Sequence, residues 1–322
     1  MRYGEVQGIG KPVSRLVQGS IMLSEGDLAG SFALLDAVWA AGGTAFDTAH
    51  SYGAGEKERV LGRWIAERGI REQVVILDKG AHPEAGHDRR VTPEDITSDL
   101  LESLERLGTE YIDLYVLHRD DPEVPVGPLV ETLSEHCRAG RIHAFGGSNW
   151  AYERVREANE YAAAHDLVPF TVSSPNFSLA EQFRPPWKGC LSVSGRQGME
   201  ARRWYREQGM PLFTWSSLAG GFFSGRFSRT NLDEFTAPID LVCIEAYAYE
   251  ENFRRLDRAR EMAAARGLSI PQIAMAYVAN QHEDDIFALV GCANGDEFRQ
   301  NTAALELALT PQELAWLDLR DE

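Results

Sequence analysis

Short apolar runs alternate with longer amphipathic stretches along nearly the whole chain. Each run has four to seven residues and is rich in Val, Ile, Leu or Phe, which is typical of buried parallel β-strands. Eight runs are predicted as strands: Leu16–Gly19, Thr44–Asp47, Val74–Lys79, Ile112–His118, Ile142–Gly147, Phe170–Ser174, Leu212–Ser216 and Ile286–Gly291. Their spacing indicates a repeated strand–helix unit.

The stretches between the runs carry apolar residues at helical spacing. In residues 93–107, four leucines fall on one face of a helix. Thr92 followed by Pro93 and two acidic residues predicts the start of this helix. Thr310 and Glu313 repeat that signal near the end of the chain, with the spacing of a capping box.

Eight such units without a break in composition predict an α/β fold, a closed (β/α)8 TIM barrel, as one domain over residues 1–322. A doubly wound open sheet is the alternative, but no Gly-x-Gly-x-x-Gly motif follows the first strand. The motif QGIGKP at residues 7–12 predicts the turn of an N-terminal β-hairpin that closes the barrel floor. Residues 177–200 and 217–248 are expected to be long loops after strands six and seven.

Composition and charge exclude several functions. A formal net charge of −17 disfavours binding to nucleic acid and to anionic membranes. The four cysteines are scattered without a C-x-x-C pair, so reduced thiols are expected, with no metal site. No apolar run has the length of a membrane span, and the N-terminus lacks a signal core, so a cytoplasmic protein is expected. The oligomeric state stays open.

Polar residues stand where several predicted strands end. The second strand ends at Asp47, and Tyr52 lies on the loop that follows it. The third strand ends at Lys79 and the fourth at His118. Because functional residues of a barrel lie at the C-terminal ends of its strands, these four side chains are expected to face one mouth.

This set of residues suits carbonyl reduction, which needs a hydride and a proton. Tyrosine has a pKa of about 10, and lowering it towards neutrality takes roughly 4 kcal/mol. One ammonium group about 4 Å away supplies roughly that energy at an effective dielectric of about 20. Lys79 is therefore predicted to lower the pKa of Tyr52, while Asp47 keeps the lysine charged. His118 would orient or polarise the carbonyl oxygen.

The chain resembles the aldo-keto reductases in four motifs that occur in order over nearly its whole length. They are FDTAHSYG (residues 46–53, with Glu56 and Gly62), VVILDKG (74–80), YIDLYVLH (111–118) and GRIHAFGGSNW (140–150). The resemblance implies a (β/α)8 barrel, a nicotinamide cofactor, and a catalytic tetrad of Asp47, Tyr52, Lys79 and His118.

The resemblance also implies a cofactor site. Ser148 and Asn149 match residues that hold the nicotinamide carboxamide, and Trp215 matches an aromatic residue that stacks on the ring. Asn301 matches a contact on the adenine side.

The segment SSLAGGFFSGR (residues 216–226) is similar to the loop that wraps the cofactor pyrophosphate. Ser216, Leu218 and Gly220 are therefore predicted cofactor contacts, and Arg226 is predicted to pair with phosphate.

The chain departs from the family pattern at two places. The family usually has a glutamine where this chain has Ser174, so one carboxamide contact is shorter by an amide group. After strand eight, Gly291 and Glu297 stand where relatives that prefer NADPH often carry a base, and none comes before Arg299. The cofactor is therefore expected to be NADP(H) or NAD(H), with both left open.

Candidate residues at the mouth mix aromatic rings with polar groups, which suits a sugar, a polyol or a similar polar carbonyl compound. The predicted substrate contacts are His50, Arg119, Trp150, Phe177 and Trp187.

The function predicted here is NAD(P)(H)-dependent interconversion of a carbonyl and an alcohol, and two alternatives stand beside it. A class I aldolase-like lyase would form a Schiff base through Lys79 and would need that lysine neutral. A binding module would sense the redox state of the nicotinamide for a partner protein.

Overall fold

The computed structural model describes residues 1–84, 86, 89–281 and 285–320, in which two sheets occur. The strands are β1 (Tyr3–Val6), β2 (Ile9–Ser14), β3 (Leu16–Gly19), β4 (Ala45–Asp47), β5 (Val75–Gly80), β6 (Ile112–Leu117), β7 (Ile142–Ser148), β8 (Val172–Ser174), β9 (Leu212–Thr214) and β10 (Ile286–Val290). Strands β3 to β10 form a closed barrel in chain order.

All neighbouring strands of the barrel are parallel, and β10 closes it against β3. At the closure, Ala288 pairs with Leu16. The predicted (β/α)8 barrel is therefore confirmed, and an open doubly wound sheet is excluded. Because parallel strands end at the same side, all eight strand ends surround one mouth.

Helices follow the strands and cover the outside of the barrel. They are α1 (Leu28–Ala40), α2 (Glu56–Arg68), α3 (Pro93–Leu107), α4 (Val126–Arg138), α5 (Tyr152–Ala164), α6 (Met199–Glu207), α7 (Pro238–Tyr247), α8 (Glu250–Arg266), α9 (Ile270–Ala279), α10 (Gly295–Ala304) and α11 (Pro311–Leu317). None of them, within the residues described, is long and apolar enough to span a membrane.

Two predicted helix starts are confirmed. At α3, the Thr92 side chain accepts a hydrogen bond from the Asp95 amide at 3.1 Å. At α11, the Glu313 amide donates to Thr310 Oγ1 at 3.2 Å, and the Thr310 amide donates to the Glu313 carboxylate at 2.8 Å. Both caps satisfy amide groups that the first turn of a helix leaves unpaired.

The N-terminal hairpin is confirmed as the antiparallel pair β1–β2. Gly8 forms its turn with a φ of +92°, a conformation that favours glycine. Val6, Ile9 and Val13 of the hairpin belong to the apolar cluster that fills the barrel interior. The hairpin therefore covers one end of the barrel core.

The two predicted loops differ in structure. Residues 175–198, after β8, contain no regular helix or strand, and Asn176 ties the segment to itself through backbone bonds with Leu191 and Val193. The prediction for 217–248 is wrong in its second half, because residues 238–247 form α7. Pro238 at the first helical position favours that start, since proline there loses no helical hydrogen bond.

Side chains alternate between the inside and the outside of the barrel wall. On β5, Val75 and Leu77 join the interior cluster, whereas Ile76 joins the cluster between strands and helices. By the same alternation, Lys79 points into the barrel and Asp78 points towards the helices.

We expect Gly62→Ala to lower the free energy of unfolding by about 1–3 kcal/mol. Gly62 lies on α2, and an added Cβ would meet the backbone of Leu107, with the carbonyl oxygen at 2.3 Å. The helices α2 and α3 would have to move apart. Urea unfolding of the variant and of Gly10→Ala measures this, because a Cβ at Gly10 would meet no atom within 4 Å. Equal midpoints in the two variants would contradict the expectation.

Candidate active site

Three neighbouring strands bring the predicted tetrad together. Asp47 is the last residue of β4, Lys79 lies near the end of β5, and His118 directly follows β6. Tyr52 lies in the short helical turn after β4. Asp47, Lys79 and His118 are all less than one-tenth exposed, so the group forms a buried cluster at the mouth.

The Lys79 ammonium is the centre of this cluster. Its Nζ lies 2.5 Å from Asp47 Oδ1 and donates to the Thr48 carbonyl at 2.7 Å. It also donates to the Tyr52 hydroxyl at 3.3 Å. The His118 ring lies 5.8 Å from the Tyr52 ring in an edge-on arrangement. A carbonyl oxygen near the Tyr52 hydroxyl would therefore meet a proton donor that a buried cation supports.

Lys79 is charged in this environment. Burial by itself would lower the pKa of Lys79, but the Asp47 carboxylate, Tyr52 and the hydrogen bonds to both raise it above its ordinary value. A protonated lysine is not a nucleophile, so the electrostatics disfavour the Schiff-base alternative.

The pKa of Tyr52 differs from the prediction that Lys79 would lower it. Burial raises the pKa of Tyr52 above its ordinary value, and the Lys79 charge opposes this rise without overcoming it. Burial is the largest cause, and the charge of Asp47, which is paired with Lys79, raises the pKa of Tyr52 further. Tyr52 therefore keeps its proton at neutral pH and is a hydrogen-bond donor to an entering oxygen.

Burial also keeps His118 neutral, but its pKa shifts in the opposite direction to that of Tyr52. Burial lowers its pKa well below the ordinary value, and the charges of Lys79 and Arg119 lower it further. A neutral imidazole can donate one hydrogen bond to a substrate oxygen without adding a charge.

His82 is a neighbour of the tetrad that the sequence reasoning missed. Its ring lies 4.7 Å from the His118 ring, and burial lowers its pKa. It follows β5 in the segment AHPEAGHD, which reads as a solvent-exposed loop because it is polar and contains a proline and a glycine. The one signal in the sequence that points to His82 is its position just after the end of β5, the strand adjacent to the one that ends before His118.

The predicted carboxamide contacts lie together at the ends of β7 and β8. Ser148 Oγ donates to the Ser174 carbonyl at 3.0 Å. The Asn149 amide group donates to the His118 carbonyl and accepts from the Leu191 amide, and Asn149 has a φ of +62°. Ser174 Oγ is buried without a hydrogen-bond partner in the described part of the chain. Of the three side chains, Ser174 thus offers the free hydroxyl.

Trp215 follows β9 and packs partly against the apolar cluster of the barrel interior. Its Nε1 has no hydrogen-bond partner among the described residues, and its ring lies 6.3 Å from the Trp187 ring. Gly220 and Gly221 on the loop that follows have φ values of +61° and +95°. Glycine adopts these conformations without strain and leaves backbone amides accessible.

The remaining predicted cofactor residues differ in whether they are accessible or already engaged within the protein. A Cβ added at Gly291 would meet no described atom within 4 Å, and Ser216 and Leu218 are partly exposed. Arg226 pairs with Asp240 at 2.8 Å, so its charge is already balanced.

The residues near α10 are also engaged within the protein. The Glu297 carboxylate accepts from the Ala293 amide and from the Asn294 side chain at the start of α10. Asn301 is buried and donates to Cys292 Sγ at 3.3 Å. Either side chain would have to break one of these hydrogen bonds before it could distinguish NADP(H) from NAD(H).

Three predicted substrate contacts do not face the mouth. Trp150 is fully buried and donates to the Arg119 carbonyl at 3.1 Å, and Phe177 is fully buried against Tyr277. His50 turns outward, where its Nε2 lies 3.0 Å from Glu102 Oε2. These predictions are corrected because packing, rather than position in the chain, decides where each ring points.

Two predicted substrate residues remain accessible. Arg119 is partly exposed and donates to the His118 carbonyl at 2.8 Å. It has no ion-pair partner in the described residues. Trp187 is 47% exposed. In the same described part, no group of three or more His, Cys, Asp or Glu side chains is arranged to hold a metal ion.

A closed parallel barrel with ionisable side chains at its strand ends defines a TIM-barrel protein with its site at the mouth. Residues 15–321 match the sequence profile of the Aldo/keto reductase family. The chain belongs to this family, which supports an oxidoreductase enzyme.

Three relatives illustrate the range of similar proteins. A probable voltage-gated potassium channel subunit beta from Oryza sativa subsp. japonica is 26% identical, over 97% of this chain and 94% of its own length. Norsolorinic acid reductase B from Aspergillus parasiticus is 28% identical, over 94% and 79%. A probable aryl-alcohol dehydrogenase from Saccharomyces cerevisiae is 26% identical, over 89% and 86%.

We expect Lys79→Met to lower the free energy of unfolding by about 3–5 kcal/mol, because it leaves the Asp47 carboxylate buried without its partner. The double variant Asp47→Asn/Lys79→Met should recover part of the loss. Arg63→Met is the control, since Arg63 pairs with Glu67 at the surface and should cost at most about 1 kcal/mol. Urea unfolding of the four proteins measures these values. Equal losses in the two single variants would contradict a buried ion pair.

Proposed function

We propose that this protein is an NAD(P)(H)-dependent oxidoreductase that interconverts a carbonyl group and an alcohol. The observation that carries the proposal is the contact of the Tyr52 hydroxyl, at 3.3 Å, with a buried lysine that is itself paired with Asp47. This arrangement supplies a proton at one atom of the barrel mouth, which is what carbonyl reduction requires.

Each member of the tetrad has a distinct role in this proposal. Tyr52 donates its proton to the carbonyl oxygen as the alcohol forms. Lys79 stabilises the phenolate that the donation leaves, and Asp47 holds the lysine charged and in place. His118, as a neutral imidazole, donates a hydrogen bond that orients the carbonyl oxygen.

The nicotinamide cofactor would supply or accept the hydride. Ser174 and Trp215 fit it best, because neither the Ser174 hydroxyl nor Trp215 Nε1, both buried, has a hydrogen-bond partner among the described residues. Ser148 and Asn149 would support the carboxamide side. The loop with Ser216, Leu218 and Gly220 would approach the pyrophosphate, and Gly291 leaves room beside it.

Within the described part of the chain, neither Arg226 nor Arg299, the two bases considered for a 2′-phosphate, is unpaired. Arg226 is paired with Asp240, and Arg299 is paired with Asp296. Glu297 and Asn301 would have to exchange protein bonds to contact the nucleotide. We therefore propose both NADP(H) and NAD(H) as cofactors, to be separated by the binding measurement below.

For the substrate, we propose a carbonyl compound with an apolar or aromatic face and a polar or anionic substituent. The sugar or polyol prediction depended on a mixture of aromatic and polar groups at the mouth, and two of its aromatic residues, Trp150 and Phe177, are buried. Trp187 and Arg119 are accessible, and they offer an aromatic surface and a cation. The printed names of two relatives, a norsolorinic acid reductase and an aryl-alcohol dehydrogenase, favour such substrates.

A nicotinamide-sensing binding module is the second candidate, favoured by the relative named as a potassium channel subunit beta. It would bind the cofactor as tightly as a reductase but turn over broad carbonyl substrates hardly at all. The proposed location is the cytoplasm, which free thiols at all four cysteines support.

We expect Tyr52→Phe to lower kcat by at least about a hundredfold, because removing a general acid costs about that much or more. Binding of NADPH and NADH, followed by tryptophan fluorescence, should change little, since the phenol ring and Lys79 remain. Steady-state reduction of 4-nitrobenzaldehyde by each cofactor measures turnover. Retained activity in the variant would reject the role of Tyr52, and binding of neither cofactor to the unaltered protein would reject the proposed function.

We expect Arg119→Gln to lower kcat/KM for 4-carboxybenzaldehyde by about ten- to a hundredfold relative to benzaldehyde, because a charged hydrogen bond is lost. Arg184→Gln is the matched control, since Arg184 is exposed and pairs with Glu245. The ratio of the two kcat/KM values reports the effect free of changes in folding. An unchanged ratio would contradict the role of Arg119, and preference for aldoses over both aldehydes would favour the sugar prediction.

A further inference from the structure

A second imidazole lies beside the tetrad, and the proposed reaction does not use it. The His82 ring lies 4.7 Å from the His118 ring, at an interplanar angle of 62°. The His118 ring lies 5.8 Å from the Tyr52 ring. His118 is buried, whereas His82 is partly exposed. His82 therefore offers an accessible ring directly beside the group that would hold the carbonyl oxygen.

The backbone after β5 fixes the position of His82. Ala81 is buried and has a φ of +58°, a left-handed conformation that is strained in a residue with a Cβ atom. Its amide donates to Asp99 Oδ2 at 2.8 Å, which ties the segment to α3. The Gly80 carbonyl accepts from the His118 amide at 2.8 Å. The two histidines therefore follow strand ends that are bonded to each other, and α3 holds the turn that precedes His82.

One hydrogen bond sets the tautomer of His82. Its Nδ1 lies 2.7 Å from the Pro83 carbonyl oxygen. A carbonyl oxygen only accepts hydrogen bonds, so Nδ1 carries a hydrogen and donates it. In the neutral ring the other nitrogen, Nε2, then has a lone pair and is an acceptor. Among the residues that the structure describes, none donates to this nitrogen.

The surroundings of His82 favour this neutral form. Burial lowers the pKa of His82, and the charges of Arg119 and Arg90 act in the same direction. The hydrogen bond to Pro83 and the charge of Glu84 oppose the shift without reversing it.

We propose that His82 contacts the substrate and that its Nε2 accepts a hydrogen bond from a hydroxyl group close to the substrate carbonyl. This inference rests on the proposed function and identifies the polar substituent of the substrate as a hydrogen-bond donor. The distance of 4.7 Å between the two imidazoles is short enough for one small molecule to contact both. His118 would hold the carbonyl oxygen, and His82 would hold the neighbouring hydroxyl.

His82 and Arg119 would then recognise different substituents. A guanidinium group has only donors, so Arg119 suits a carboxylate or another acceptor. The Nε2 lone pair of His82 suits the opposite partner. A methyl ether in place of the hydroxyl keeps the oxygen but loses the hydrogen that His82 requires.

The test compares 3-(hydroxymethyl)benzaldehyde with 3-(methoxymethyl)benzaldehyde. In the unaltered protein we expect kcat/KM to be about three- to tenfold higher for the hydroxyl compound, because one neutral hydrogen bond is gained. His82→Phe keeps a ring beside His118 without the acceptor and should bring the ratio close to one. His82→Gln, whose side-chain oxygen reaches about as far as Nε2, should keep part of the preference.

His165→Phe is the matched control. The His165 ring also packs on another ring, that of Tyr161 at 4.0 Å, and its Nδ1 lies 2.9 Å from the Tyr161 carbonyl oxygen. His165 is exposed at the end of α5, away from the strand ends that carry the tetrad. Its replacement should leave the ratio of the two kcat/KM values unchanged.

A second measurement needs no turnover. The long-range 1H–15N spectrum of the imidazole side chains should show His82 as a neutral ring with its hydrogen on Nδ1 at about pH 7. The signal is assigned by its loss in His82→Phe. A hydrogen on Nε2, or on both nitrogens, would overturn the proposal whatever the kinetics show.

The kinetic outcomes separate this inference from the proposed function. Turnover with the same ratio in the unaltered protein and in His82→Phe would overturn the role of His82 and leave the proposed oxidoreductase function intact. Absence of turnover with every aldehyde would overturn the proposed function and the role of His82 with it. If His82→Phe does not fold, His82→Asn removes the acceptor instead, because its amide can still donate to the Pro83 carbonyl.

Discussion

A lysine ammonium held inside the barrel is the constraint on which the rest of the site depends. Lys79 Nζ is within 2.7 Å of both the Asp47 carboxylate and the Thr48 carbonyl, so the end of β4 is fixed around it. The turn that carries Tyr52 begins a few residues later. An unpaired ammonium at this depth would be costly, so Lys79 depends on the Asp47 carboxylate beside it.

Burial dominates the electrostatics of this unit. It raises the pKa of Tyr52 and lowers that of His118, and in both cases it favours the neutral form. Only Lys79 departs from this rule, because Asp47 and Tyr52 both surround it with acceptors. The result is one charged pair between two neutral donors, an arrangement suited to protonating an oxygen without placing a free charge beside it.

The barrel wall separates two kinds of polar chemistry. Successive residues of β5 face opposite sides, so Lys79 belongs to the mouth and Asp78 to the layer under α2 and α3. Asn149 joins the two neighbouring strand ends to the long loop after β8 through its side-chain bonds to His118 and Leu191. Its left-handed backbone is the kind of local strain that clusters at functional sites.

The eight strands, the hairpin, the helix caps and the positions of Asp47, Lys79 and His118 at strand ends all follow from the amino-acid sequence. They follow because their signals are local. The pattern of apolar and polar positions predicts the strands and helices, and threonine and proline predict the helix starts. The directions of side chains in loops and turns do not follow from the sequence. Trp150 and Phe177 are buried in the core, and His50 points towards α3. Arg226 forms an ion pair with Asp240. Those outcomes depend on which distant residue offers a partner or a cavity. Only the folded chain decides that, because the partners lie on other elements.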